Sequence, residues 1–114
     1  MNSTIKGGIG EARVAEFLKK KKYEILEMNF SVQGGEIDIV AKQKDTIVFV
    51  EVKSRLTATY GLPREAVTKT KQQHIVRTAT AYLQRKKLFG SPVRFDVAEV
   101  WEGNIVHIEN AFEA

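Results

Sequence analysis

Two runs rich in β-branched residues, Glu36–Lys42 and Thr46–Ser54, flank the pair Lys44-Asp45 and constrain this chain more than any other feature. Side chains on a strand alternate between faces. Val48, Val50 and Val52 therefore share one face of the second run, and Ile47, Phe49, Glu51 and Lys53 share the other. On the first run Ile37, Ile39 and Ala41 face one way, and Glu36, Asp38 and Val40 face the other. A two-residue turn at Lys44-Asp45 places Asp38 opposite Glu51 and Glu36 opposite Lys53, and a one-residue slip would spoil both pairings.

Two carboxylates directly across a ladder repel at a cost of about 0.2–1 kcal/mol, more when desolvated. A divalent cation removes that repulsion, because Mg²⁺ or Mn²⁺ takes oxygen ligands, commonly one or two carboxylates with water and substrate phosphate. Lys53 on the same face is placed to orient or deprotonate a water and to neutralise charge growing on a phosphoryl group. The plainer alternative is a Glu36–Lys53 salt bridge with Asp38 and Glu51 merely solvated. Four polar residues on one face of the two most strand-like segments favour the metal reading.

The remaining pattern supplies an α/β frame. An apolar stripe of Val14, Phe17 and Leu18 with Ala15 predicts a helix over 9–22, its lysines Lys19–Lys22 crowding the last turn, where they complement the dipole. Tyr23–Phe30 reads as a first strand, and Gly34-Gly35 punctuates it. After a loop at Thr57–Leu62, Pro63 marks a helix start, and Ile75, Val76, Ala79, Tyr82 and Leu83 give that helix a buried side to about Lys87. Gly90-Ser91-Pro92 stops it, and Val93–Trp101 and Ile105–Glu109 form a closing hairpin across Glu102-Gly103-Asn104. The order α-β-β-β-α-β-β implies helices packed around a mixed central sheet, one domain over residues 1–114.

Composition narrows the chemistry. The 114 residues include no cysteine, which excludes thiolate catalysis, disulfides and Cys-based zinc together. His74 and His107 lie too far apart in sequence to suggest a His-rich zinc cluster. Residues 1–10 lack the apolar core of a signal peptide, and no apolar run approaches a membrane span, so a cytoplasmic protein with no membrane partner is expected. Residues 58–94 carry eight Lys or Arg against Glu65 alone, whereas 95–114 carry five acids and no Lys or Arg. A basic central segment suits a polyanionic partner, although a solvated helix face gives the same pattern.

These residues carry a resemblance. Asp38 followed by Glu51-Val52-Lys53 resembles the Asp…Glu-x-Lys core of the PD-(D/E)XK nuclease superfamily, and the element order is similar to its restriction-endonuclease-like αβββαβ core. Gly10-Glu11, Gly35-Glu36-Ile37-Asp38, Val48–Arg55, Lys71-Gln72 and Arg94-Phe95-Asp96-Val97 resemble the bacterial YraN-type family over nearly the whole chain. Archaeal Holliday-junction resolvases are similar through the first helix and the hairpin only. The resemblance implies that Asp38, Glu51, the Val52 carbonyl and Glu11 bind Mg²⁺ or Mn²⁺ and that Lys53 assists the attacking water. Glu11 also shares a helical face with Ala15 and Leu18, which turns it toward the sheet. Ile37 stands where the superfamily motif has proline.

Lys71 falls on the stripe Val67, Lys71, Ile75, so it either snorkels over the sheet or presents its ammonium to a bound phosphate. With Gln72 beside it, the phosphate reading is preferred. Arg55, Arg64, Lys69 and Arg77 are expected to line the approach as sequence-independent backbone contacts. Asp96, between Arg94 and Ala98 on one strand face, is expected to be a structural salt bridge, and Trp101 and Phe112 to close the core. Gly8-Ile9-Gly10 follows no strand and is not a dinucleotide loop. The expected function is a metal-dependent endonuclease acting on DNA, branched or single-stranded. The alternatives are a non-catalytic nucleic-acid-binding module and an adaptor in a DNA-processing complex.

Overall fold

The computed structural model describes residues 3–54 and 67–114, with side chains from residue 8 onward. The elements run α1 (Ser3–Lys20), β1 (Glu24–Val32), β2 (Gly35–Gln43), β3 (Thr46–Ser54), α2 (Lys69–Lys86), β4 (Val93–Trp101) and β5 (Asn104–Phe112). They form the expected mixed α/β architecture, consistent with an αβββαβ nuclease-like core. The five strands lie in chain order, antiparallel except for the parallel pair β3–β4. A parallel pair cannot be closed by a hairpin, and α2 lies in the crossover between them.

The two described helices cover opposite faces. Val14, Ala15 and Leu18 of α1 pack with Ile39, Ala41, Val48, Val50, Ala98 and Val100. Ile75, Ala79 and Tyr82 of α2 pack with Phe30, Val40, Ile47, Phe49, Phe95, Val97 and Phe112. Phe49, Phe95 and Phe112 stack in series, with ring centroids 5.7 and 5.1 Å apart. Gly35 lets α2 press onto the start of β2. A Cβ there would overlap Thr78 Oγ1 and stand 3.2 Å from the His74 carbonyl oxygen.

Strict alternation on β3 is as expected, but β2 departs from it. Ile37 packs on the α2 side with Val40, whereas Ile39 and Ala41 pack on the α1 side, so the pleat breaks at Asp38. The neighbouring strand is irregular at the same place: Met28 pairs with Ile39 and Phe30 with Ile37, while Asn29 between them has φ of 54°. Bulge-like breaks of this kind re-aim side chains beside functional sites. The expected Glu36–Lys53 pairing does not form, because the β2–β3 ladder ends at Ile39–Val50 and Glu36 pairs with Ser31 on β1.

Three boundaries also shift. Helix α1 begins upstream, at Ser3, because Gly7 and Gly8 are tolerated within it. The expected start of the second helix at Pro63 and the loop at 57–62 lie outside the described residues. Thr68 has extended backbone (φ −68°, ψ 164°), and its Oγ1 accepts from the Lys71 N–H at 3.1 Å, so α2 is capped there and starts at Lys69. Strand β5 continues to Phe112 past a register shift, and Trp101 is half-buried outside both clusters.

Asp96 has the structural role expected of it, on a larger scale. Its carboxylate accepts two bonds from Arg94, each 2.9 Å, one from the Asn110 N–H at 2.9 Å and one from His107 Nε2 at 2.7 Å. Arg94 also donates to Tyr23 Oη at 2.6 Å and to Gln43 Oε1 at 2.9 Å, and Lys21 Nζ lies 2.8 Å from His107 Nδ1. With an ammonium at Nδ1, the imidazole proton belongs on Nε2, facing Asp96. The network ties β4 and β5 to the chain leaving α1.

Candidate active site

Asp38 stands where the β2–β3 ladder opens. Its Oδ2 accepts the Val52 N–H at 2.8 Å, in place of the strand partner that the break removes. Extending the observed register by one step sets Asp38 across from Glu51, as the hairpin predicts. Glu51 is buried on the α2 side, and its Oε2 lies 3.2 Å from Lys71 Nζ. From the other face α1 contributes Glu11, which is only 8% exposed. The helix approaches β3 closely at Gly10, where a Cβ would sit 3.0 Å from Ser54 Oγ.

The three acids meet in pairs through Asp38. Burial, then the charge of Asp38, raises Glu11 from 4.5 to about 7, and the same two causes raise Glu51 from 4.5 to about 7. Lys71 pulls the Glu51 value back down, and a side-chain hydrogen bond from Asn29 does the same for Glu11. Glu11 Oε1 is buried without a hydrogen-bond partner. A buried, unpartnered carboxylate oxygen beside a second acid, with burial and then the Asp38 charge raising both Glu11 and Glu51, has the donor chemistry that a divalent cation would satisfy. Among the described residues no group of three acidic or imidazole side chains is close enough to hold a metal ion by itself, and the acids meet only in the pairs Glu11–Asp38 and Asp38–Glu51.

The other expected site residues fall at graded distances from this centre. Lys53 is half-buried one step beyond Val52, on the Glu51 side of β3, and registers beside Glu99 in the parallel ladder. Glu36 is exposed at the start of β2 and reaches Glu11 and Lys71 only through its charge. Lys69 and Arg77 are exposed on α2. Gln72 is turned inward, its Nε2 donating to the Val67 carbonyl at 3.0 Å. Arg55 and Arg64 lie outside the described residues.

Sequence reasoning passed over two nearby residues. Asn29 faces the break in β2, and asparagine between Met28 and Phe30 in a strand-like run is a signal for a left-handed kink. Glu99 is 6% exposed and lies on the Glu51 side of β4, a buried acid that alternation along Val97–Val100 would have placed there.

Fold and site together define a mixed α/β domain whose acids gather where two central strands part. The sequence profile described as "Uncharacterised protein family UPF0102" matches residues 10–100, and the chain belongs to that family. Its relatives include a UPF0102 protein of Caldicellulosiruptor saccharolyticus, 48% identical over 98% of this chain and 100% of the relative. Another, from Persephonella marina, is 44% identical over 99% of this chain and 97% of its own length. Among the described residues no helix is long and apolar enough to cross a membrane.

Proposed function

We propose that this protein is a Mg²⁺- or Mn²⁺-dependent phosphodiester hydrolase of the PD-(D/E)XK type, acting on nucleic acid and by preference on DNA. The observation that carries the reading is the pairing of Asp38 with Glu11 of α1 and with Glu51 of β3 at one break in the sheet, with Glu11 Oε1 buried and unpartnered. Asp38, Glu51, Glu11 and the Val52 carbonyl would hold the ion. A divalent ion there would supply Lewis acidity toward the phosphoryl oxygens.

The protein's own residues do the rest. Lys53 orients the attacking water and offsets negative charge at phosphorus as the water oxygen adds and the ester oxygen leaves. Lys69 and Lys71 occupy the first turn of α2, against the helix dipole, which is unfavourable for folding and favourable for a phosphate. Arg77, exposed on α2, extends the cationic approach.

The test is metal-induced stabilisation of the parent protein and of Asp38→Asn. At an ion concentration 100 times Kd the parent gains about 2.7 kcal/mol, and the variant gains nothing. Cleavage of a panel of duplex, single-stranded and branched DNA should then require the ion and Asp38. Equal stabilisation of both proteins refutes the centre.

The Lys71–Glu51 ion pair favours a second reading, a nucleic-acid-binding module in which the ammonium stands in for a metal. Binding would then be insensitive to chelator and lost on charge reversal at Lys69 and Lys71.

A further inference from the structure

Three lysines occupy backbone positions that favour glycine, all at the end of the molecule away from the acids. Helix α1 closes with Lys22 N–H donating to the Lys19 carbonyl at 2.9 Å and Tyr23 N–H to the Leu18 carbonyl at 3.0 Å. Helix α2 closes with Lys87 N–H donating to the Gln84 carbonyl at 3.3 Å and Leu88 N–H to the Leu83 carbonyl at 2.9 Å. Both are the same C-terminal motif, in which the left-handed residue is usually glycine. Here it is Lys22 (φ 74°) and Lys87 (φ 57°). The third, Lys44 (φ 54°), is the first of two residues turning β2 into β3.

The topology gathers these turns. Strands β1, β3 and β4 begin at this end and β2 finishes there, with Glu24 paired to Lys42, Gln43 to Thr46 and Ile47 to Val93. The Ile47 N–H also donates to the Pro92 carbonyl at 2.8 Å, which joins the segment after α2 to the start of β3. All three lysines are exposed, and so are Lys20 and Lys42. Phe89, two residues after Lys87, is an aromatic ring 69% exposed.

A left-handed conformation is disfavoured for any side chain other than glycine or asparagine, and such positions persist where something else selects the residue. The helix dipole accounts for part of the preference at Lys22 and Lys87. It does not reach Lys44, which follows no helix. A solvated face gives no reason to hold an aromatic ring in water. Cations tracking a backbone, with a ring for a base to stack on, are the two components of single-strand binding.

We propose that this end is a second nucleic-acid surface, at which Lys22, Lys44 and Lys87 contact single-stranded phosphate backbone and Phe89 stacks an unpaired base. The inference stands apart from catalysis, since it uses none of the acids.

The test uses the full chain in the Asp38→Asn background with chelator, so that cleavage does not enter, and a labelled oligothymidylate as probe. The triple variant Lys22→Gly, Lys44→Gly, Lys87→Gly should melt a few degrees higher in high salt, where dipole and surface-charge effects are screened. It should also bind the probe more weakly, with the slope of log affinity against log salt reduced by about 2. Phe89→Ala should weaken the oligothymidylate about fivefold or more and leave a duplex of equal length unaffected. Unchanged affinity and slope in the triple variant overturn the proposal, as does an equal loss of duplex and single strand in Phe89→Ala. If the catalytic reading alone fails, DNA stays intact and the metal-induced stabilisation is absent, while both binding effects persist.

Discussion

The Lys71 ammonium stands 3.2 Å from Glu51 Oε2, with the carboxylate side chain 7% exposed and the lysine 47% exposed. The pair is half in water, so its direct contribution is screened and modest. Its larger effect is to hold charge on a carboxylate that burial and Asp38 both push toward the neutral form. Replacing Lys71 with Met should therefore destabilise the protein by about 1 kcal/mol at pH 8. At pH 5.5, below the Glu51 value of about 7, the carboxyl is already mostly protonated and the effect should nearly vanish. Urea unfolding at the two pH values checks this, and an equal loss at both would show that Lys71 acts through packing alone.

Metal-free stability should fall as pH rises through the same range. Glu11 and Glu51 bind protons more tightly folded, at about 7, than unfolded, at about 4.5. Between those values the native state holds more protons, so raising the pH favours unfolding. A thermal scan in chelator should show Tm declining from pH 4.5 to 7 once other groups are matched by reference to Asp38→Asn. Burial, the larger cause of both raised values, persists in that variant, but the Asp38 charge that adds to it is gone, so its decline should be shallower. A steeper decline in the variant would contradict the assignment.

Much of this arrangement was legible because it follows from short-range rules. The Lys44-Asp45 turn fixed the β2–β3 register, and strict alternation put Glu51 on the α2 face and Val50 on the other. Helical periodicity turned Glu11 inward with Ala15 and Leu18. What escaped depends on tertiary contacts. The flip between Ile37 and Ile39 is set by the kink at Asn29 and by the Val52 N–H bonding Asp38, neither of which has a periodic signature. His107 read as an isolated histidine because its partners Asp96 and Lys21 are distant in sequence. The cap at Thr68 escaped because its hydroxyl is one of several polar groups in this stretch, and only the backbone geometry singles it out.

Gly35 tests how tightly α2 is seated over the site. A methyl group there would collide with Thr78 Oγ1, which already donates to the His74 carbonyl at 2.8 Å. Gly35→Ala should destabilise by about 1–3 kcal/mol, as overpacking does elsewhere. Thr78→Ala removes the closest atom, so the double variant should lose less than the two single losses added together. Strict additivity in a denaturation cycle would mean that the helix shifts away freely.

Asp96 provides the contrast between an acid that supports the fold and the acids of the site. Its side chain is fully buried, and burial alone would raise its pKa. Hydrogen bonds from His107, Arg94 and the Asn110 N–H outweigh that and leave the value below 3.8. The stability it contributes is therefore present above about pH 3.8 and disappears as pH falls through the lower folded value. Asp96→Asn leaves the Arg94 guanidinium, 18% exposed, without its bidentate partner. Breaking one side of a buried pair costs about 3–5 kcal/mol, and a loss near that range is expected at pH 7. The metal-induced gain in Tm should survive in Asp96→Asn, because Asp96 lies on the α1 face of β4 and bonds none of Glu11, Asp38 or Glu51. Asp38→Asn should do the reverse, abolishing the metal response at little expense in stability. Loss of both properties in both variants would mean that the two carboxylates belong to one cooperative unit and would remove the distinction drawn between them.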